Sequence, residues 1–246
     1  TFQKVKAVSS LGGINIIAEH LKEAGIIPIV ETNGCPTIIK TRFVDLPFNQ
    51  KVFAFAEMPK AEIQPFQEHS AYGRPRLIAD YGHGLIQEAG IVEASLGFVA
   101  LTVQSNSLNW GFNLLTKYSH AHYVVCDEPE LRLATRSKDG DIRELLKNEQ
   151  QRLGAKLAVV TLGHLGCLAF DGQEFTFAPA LADKVVDRMG AGDAFLAWTT
   201  PLAYLGAPVD IITFVGNLAA GIKVGMIGNQ AVENTTLRKW IKGCLG

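Results

Sequence analysis

Short runs of β-branched and aromatic residues alternate along the chain with stretches whose apolar positions recur at helical spacing. Arg76 to Asp80, Phe98 to Val103, His122 to Cys126 and Leu157 to Thr161 read as strands, and Gly166 to Asp171 with Gln173 to Ala178 read as two more around an Asp-Gly turn. Helical spacing covers Asn109 to Lys117, Glu128 to Thr135, Asp141 to Leu153, Asp193 to Leu205, Val209 to Met226 and Thr235 to Lys242. This rhythm predicts the α/β class, with a mainly parallel sheet covered by helices on both faces. One region breaks it. Thr37 to Val44 and Gln50 to Glu57 read as two strands joined by a loop with Pro47 and Asn49, and alternation places Lys40 and Arg42 on one face of the first. Such a hairpin is either a plain edge ribbon with solvated bases or a flap over a site.

Composition narrows the partners. The 246 residues allow one large domain, and 23 Lys plus Arg against 24 Asp plus Glu leave a net charge of −1. No general basic field exists to gather nucleic acid or anionic lipid, so neither is expected as a partner and any bound anion is held locally. The uncharged stretch from Ala194 to Val209 is too short to span a membrane and contains Pro201, so it reads as a buried helix and its turn. Cys35, Cys126, Cys167 and Cys244 lie far apart without a C-x-x-C pair, which suggests reduced, buried thiols and a cytoplasmic setting.

The segment with the most chemistry is Asp187-Arg188-Met189-Gly190-Ala191-Gly192-Asp193, ahead of an apolar helix. Two glycines at a helix start leave backbone N–H groups unobstructed where the helix dipole adds positive charge, which suits an anion. Asp193 works against mere anion binding, and a general base facing the group under attack would explain it. A structural N-cap is a second reading. A dinucleotide fingerprint is disfavoured because Phe195 stands where its third glycine belongs.

Together with Val160-Thr161-Leu162-Gly163-His164-Leu165-Gly166 and Asp127-Glu128-Pro129-Glu130, this segment resembles the PfkB (ribokinase-like) carbohydrate kinases. The resemblance implies a three-layer sandwich with a β lid at about residues 37–57, forming one kinase domain over 1–246. It also implies ATP and Mg²⁺ as cofactors and a sugar or sugar phosphate as acceptor. By the same resemblance Asp193 is the base, Gly190, Ala191 and Gly192 form the anion hole, Thr161, Gly163 and Gly166 meet the nucleotide, Asn217 and Ala220 line the adenine pocket, and Asp127 with Glu130 hold the metal. Leu11-Gly12-Gly13-Ile14-Asn15 is similar to the sugar-contacting signature, which assigns Gly12, Gly13 and Asn15 to substrate.

Within the family, the hairpin with Lys40 and Arg42 and the motif Asp80-Tyr81-Gly82-His83-Gly84 look like the heptose 7-phosphate kinase branch, so these two bases and Asp80 are assigned to substrate. His83 replaces a lysine and Gln104-Ser105-Asn106-Ser107 replaces a D-P-K-like segment, which leaves the sugar open. A catalytically silent binder of nucleotide or sugar phosphate and a nucleoside kinase are the alternatives. Two further expectations follow. The family's first strand and pre-lid strands have no counterpart in the given sequence, so either segments outside it carry them, the favoured expectation, or the protein is a shortened one; and two lids are expected to pair in a homodimer through their exposed edges with Phe53 and Phe55.

Overall fold

The computed structural model describes residues 12–30, 38–45, 50–57, 74–84, 86, 97–106, 109–228 and 230–245. Helix α1 (Gly12–Glu23) comes first. Strands β1 (Ile39–Asp45) and β2 (Gln50–Glu57) then form a separate antiparallel ribbon, with a register shift between Phe43 and Val44. Phe43, Phe53 and Phe55 cluster on this ribbon with ring centroids 5.8–6.2 Å apart, all three exposed. The loop with Pro47 and Asn49 lies outside the described residues, as does Cys35.

The main sheet has six strands in chain order: β3 (Arg76–Asp80), β4 (Val99–Val103), β5 (Tyr123–Asp127), β6 (Leu157–Thr161), β7 (Gly166–Phe170) and β8 (Phe175–Pro179). The pairs from β3 to β6 are parallel and those from β6 to β8 antiparallel. Central strands carry apolar side chains on both faces because each face meets helices. Val124, Cys126, Ala158 and Val160 pack with Leu131 of α2 (Glu128–Thr135) and with Leu146 and Leu153 of α3 (Ile142–Leu153). The alternate residues Tyr123, Val125, Leu157 and Val159 pack with Phe195 and Leu196 of α4 (Ala191–Tyr204) and with Ile212 of α5 (Val209–Val224). Full burial of each larger apolar side chain stabilises by about 1.5–3 kcal/mol, so this two-sided alternation is the main driving force for the three layers. Trp198, Leu218, Val232 and Leu237 join α4 and α5 to α6 (Asn234–Leu245).

Gly166 illustrates how tightly the edge of the sheet is specified. Its φ is +115°, and a Cβ there would lie 2.1 Å from the Ala178 carbonyl oxygen across the β7–β8 ladder. Glycine alone tolerates both the conformation and the approach.

The helix expected over Asn109 to Lys117 is absent. Residues 109–113 are turn and bend, followed by a single 3₁₀ turn, Leu115–Lys117. Asn109 Nδ2 donates to the Tyr81 carbonyl at 2.9 Å, and Asn113 Nδ2 to the Asp80 carbonyl at 3.1 Å. Side chains that serve distant carbonyls compete with the helical ladder. The cysteine expectation also needs correction: Cys126 and Cys167 are buried, but Cys244 is exposed.

Candidate active site

The parallel strands end together, and their carboxyl ends carry the polar residues: Asp80 on β3, Gln104 just beyond β4, Asp127 on β5 and Thr161 on β6. This is where open α/β sheets form their ligand crevice. The amino end of α4 enters the same region. Gly190 caps that helix with φ +77°, and the first helical amide to find an acceptor is that of Ala194, on the Gly190 carbonyl at 2.9 Å. The amides of Ala191, Gly192 and Asp193 have no acceptor among the described residues, and they lie at the positive end of the helix dipole. A Cβ at Gly192 would meet nothing within 4 Å, so the space beside this glycine is open.

Asp193 is buried in the first turn of α4, and two donors converge on one of its oxygens. Tyr81 Oη and Gln104 Nε2 each donate to Asp193 Oδ1 at 3.1 Å. Burial raises the carboxyl from 3.8 to about 6, with the two hydrogen bonds and Lys223 pulling the other way. Oδ2 has no hydrogen bond among the described residues. A carboxylate held by one oxygen, with the other left without a hydrogen-bond partner among the described residues, is equipped to take a proton near neutral pH.

The residues that orient this carboxylate come from remote parts of the chain. Tyr81 passes over Gly13, where a Cβ would lie 2.4 Å from the phenol oxygen, so the glycine at the start of α1 makes room for the ring. The Tyr81 carbonyl accepts from both Asn106 and Asn109 at 2.9 Å. Its ring stacks on His83 with centroids 6.4 Å apart. Segment 104–106 is therefore a hub: Gln104 reaches Asp193, the Ser105 amide reaches Glu130 Oε1 at 3.2 Å, and Asn106 reaches Tyr81.

Asp127 and Glu130 form a capping box at the start of α2. The Glu130 amide donates to Asp127 Oδ1 at 2.8 Å, and the Asp127 amide to Glu130 Oε2 at 2.9 Å. Burial, the neighbouring Asp127 carboxylate and, more weakly, Asp193 push Glu130 above its usual range. Among the described residues no three His, Cys, Asp or Glu side chains could hold a metal by themselves.

The other expected residues divide. Asp80 is buried and its carboxylate accepts from the Gly82 amide (2.8 Å), Lys117 Nζ (2.7 Å) and Tyr118 Oη (2.9 Å), so it is committed within the protein. Asn217 Nδ2 donates to the Ala178 carbonyl at 2.9 Å and Cys167 Sγ at 3.4 Å, which ties α5 to β7 and β8. Ala220 packs on the face that these strands share with α4. Thr161 Oγ1 lies 3.5 Å from the Cys126 carbonyl, and Gly163 opens the turn to Gly166 with φ +60°. Gly12 and Asn15 sit in α1, Asn15 half-buried. Lys40 and Arg42 lie in β1 opposite Ala56 and Ala54. Sequence reading missed Tyr81 and Gln104 as partners of Asp193, and Lys117 as partner of Asp80.

The pfkB family carbohydrate kinase model matches residues 85–236. The chain is 28% identical over 244 residues to the bifunctional protein HldE of Magnetococcus marinus, covering 91% of this chain and 49% of that protein. It is 29% identical over 218 residues to HldE of Rhodospirillum rubrum, covering 82% and 42%. The chain thus spans about half the length of the curated relatives it matches. The solved ribokinase of Thermotoga maritima superposes with a TM-score of 0.68 at 19% identity, over 84% of this chain and 70% of that one. Phosphofructokinase-2 of Escherichia coli gives 0.51 at 17% identity, over 61% and 48%. These likenesses establish the ribokinase-like fold.

Proposed function

This chain belongs to the pfkB family of carbohydrate kinases, and on that premise we propose that it transfers the γ-phosphoryl group of ATP to a hydroxyl of a sugar or sugar phosphate. The observation that carries the reading is a buried carboxylate, Asp193, beside three backbone amides at the head of α4 that have no acceptor among the described residues. In the step, the acceptor oxygen bonds to the γ-phosphorus as its proton passes to Asp193 Oδ2. The bond from that phosphorus to the β–γ bridging oxygen breaks, and ADP leaves. The amides of Ala191 to Asp193 receive charge on the transferring group, which is the kind of fixed donor that phosphoryl transfer needs most. Gly190 supports their geometry. Thr161, Gly163, Gly166 and Ala220 border the nucleotide, with Asn217 offering only its oxygen because its nitrogen is engaged.

Asp127 and Glu130 are the residues that would hold Mg²⁺. The donor set fits as a partial shell: both Glu130 oxygens and Asp127 Oδ1 each accept one backbone amide and keep a further lone pair, the mutual repulsion of the two carboxylates is a cost that a divalent cation would relieve, and phosphate oxygens with water would complete the shell. When bound, the ion neutralises charge on the phosphates. Gly12, Gly13 and Asn15, with Lys40 and Arg42 from the lid ribbon, are the proposed acceptor side. The HldE relatives favour a phosphorylated acceptor of the heptose 7-phosphate type. A screen of sugars, sugar phosphates and nucleosides for acceptor-dependent ATP consumption tests this. Turnover on a sugar phosphate is expected; tight ATP binding with no acceptor turned over would point to a silent binder, and turnover on adenosine alone to a nucleoside kinase.

Tyr81→Phe should lower turnover by about tenfold by removing one of two charge-assisted hydrogen bonds to the base. It should also move the acid limb of the pH–rate profile upward. Activity needs the ionised carboxylate and falls as pH drops through about 6; Tyr81 stabilises that charged form, so its loss raises the value further. A Tyr81→Phe profile superimposable on the wild type would rule out this role.

A further inference from the structure

Lys223 is the one charged residue between Asp210 and Glu233, and it is wholly buried. An ammonium has three donors, yet among the described residues this one makes a single hydrogen bond, to the Gly228 carbonyl at 2.7 Å. Taking an ammonium out of water costs several kcal/mol unless nearby charge compensates it. Burial works against the ammonium and lowers its proton affinity, and part of the compensation comes from Asp187, in the segment that leads into the anion-binding turn. The amides of Val186 and Asp187 donate to the Val224 carbonyl, the residue after Lys223, at 2.7 and 3.0 Å. A Cβ at Gly221 would lie 2.2 Å from the Leu181 carbonyl oxygen, so α5 and this segment are in direct backbone contact. The Asp187 side chain accepts from the Met189 amide at 3.0 Å, which shapes the turn that follows.

We infer that the Lys223 ammonium is a built-in counter-charge for the phosphate-binding turn, a positioning residue that acts through Asp187 and Asp193 without touching either substrate. The inference rests on the phosphotransfer reading and deepens it. A triphosphate must approach a turn flanked by two carboxylates, and a fixed cation behind the turn offsets both. Among the described residues, the charged groups whose field Lys223 feels are Asp187 and Asp193, which favour its charge, while Lys223 in turn disfavours charge on His20 of α1. His20 is held neutral, at about 4, chiefly by burial and then by Lys223, and its Nδ1 accepts from the Val232 amide at 3.1 Å. The same field favours the ionised form of Asp193.

Two substitutions separate charge from packing. Lys223→Met removes charge and hydrogen bond; Lys223→Gln keeps a donor for Gly228 and removes only the charge. Both should lower turnover by about 10- to 100-fold and weaken binding of inorganic tripolyphosphate by about tenfold. Both should also move the acid limb upward by about one pH unit. A folded Lys223→Gln with an unmoved acid limb or unchanged tripolyphosphate affinity would overturn the inference. Insolubility of both variants would likewise overturn it, in favour of a purely structural cation. Asp193→Asn, run alongside, tells this failure from that of the parent reading: wild-type turnover there would end the kinase proposal, leaving tripolyphosphate affinity in Lys223→Gln to judge the counter-charge.

Discussion

Asp193→Asn is expected to lose about 10²- to 10⁴-fold in turnover while retaining ATP affinity and fold. An amide has nearly the shape of the carboxylate, and its oxygen can still accept from Tyr81 Oη and Gln104 Nε2. The anion-binding amides belong to the backbone and are untouched. What disappears is the ability to take the acceptor's proton. Stability offers an internal control. A carboxyl at about 6 in the fold against 3.8 ordinarily binds its proton more tightly when folded, so it weakens the folded state progressively as pH rises from about 4 to 6 and remains a liability at neutral pH. Removing it should leave the thermal midpoint unchanged or higher at pH 7. Unimpaired acceptor-dependent ATP consumption in this variant would refute the assigned role.

The layers were legible in the sequence because two-sided burial makes parallel strands continuous apolar runs, such as Leu157 to Val160. Limits shifted by one to three residues where local sequence is permissive: β5 runs Tyr123–Asp127, with Asp127 also capping α2, α4 begins at Ala191, and α6 ends at Leu245. The false helix at Asn109 to Lys117 had helical spacing, but its asparagines serve the Tyr81 and Asp80 carbonyls, a demand that comes from 28 and 33 residues away.

The candidate site divided in the same way. Asp193 and its amides were legible because dipole, glycines and acid are contiguous. Tyr81 and Gln104 were not, since their hydrogen bonds to Asp193 span 112 and 89 residues. Gln104-Ser105-Asn106 was read only as a departure from a family motif, whereas each of the three residues makes a contact that shapes the site. The signal for Lys223 was available, as a lone charge in a long uncharged stretch, but a lysine one residue from the end of a helix ordinarily reads as solvated.

Asp80→Ala is expected to destabilise the protein by about 3–5 kcal/mol, the cost of breaking a buried ion pair from one side. The sequence assigned Asp80 to substrate; the structure commits its carboxylate to Gly82, Lys117 and Tyr118. Deletion would take the counter-charge from the Lys117 ammonium, whose side chain is only 22% exposed and which would keep the Ile86 carbonyl, and would remove the Asp80 acceptor from the buried Tyr118 hydroxyl. It would also free the Gly82 amide in a turn that glycine must occupy, where φ is +67° and a Cβ would lie 2.0 Å from Asn109 Nδ2. Because the next residue is Tyr81, loosening this turn should also disturb the carboxylate that Tyr81 orients. Denaturant titration and acceptor KM separate the two assignments. A large loss of unfolding free energy with acceptor affinity kept among the folded molecules supports the internal role; an unchanged midpoint with lost acceptor affinity restores the substrate role.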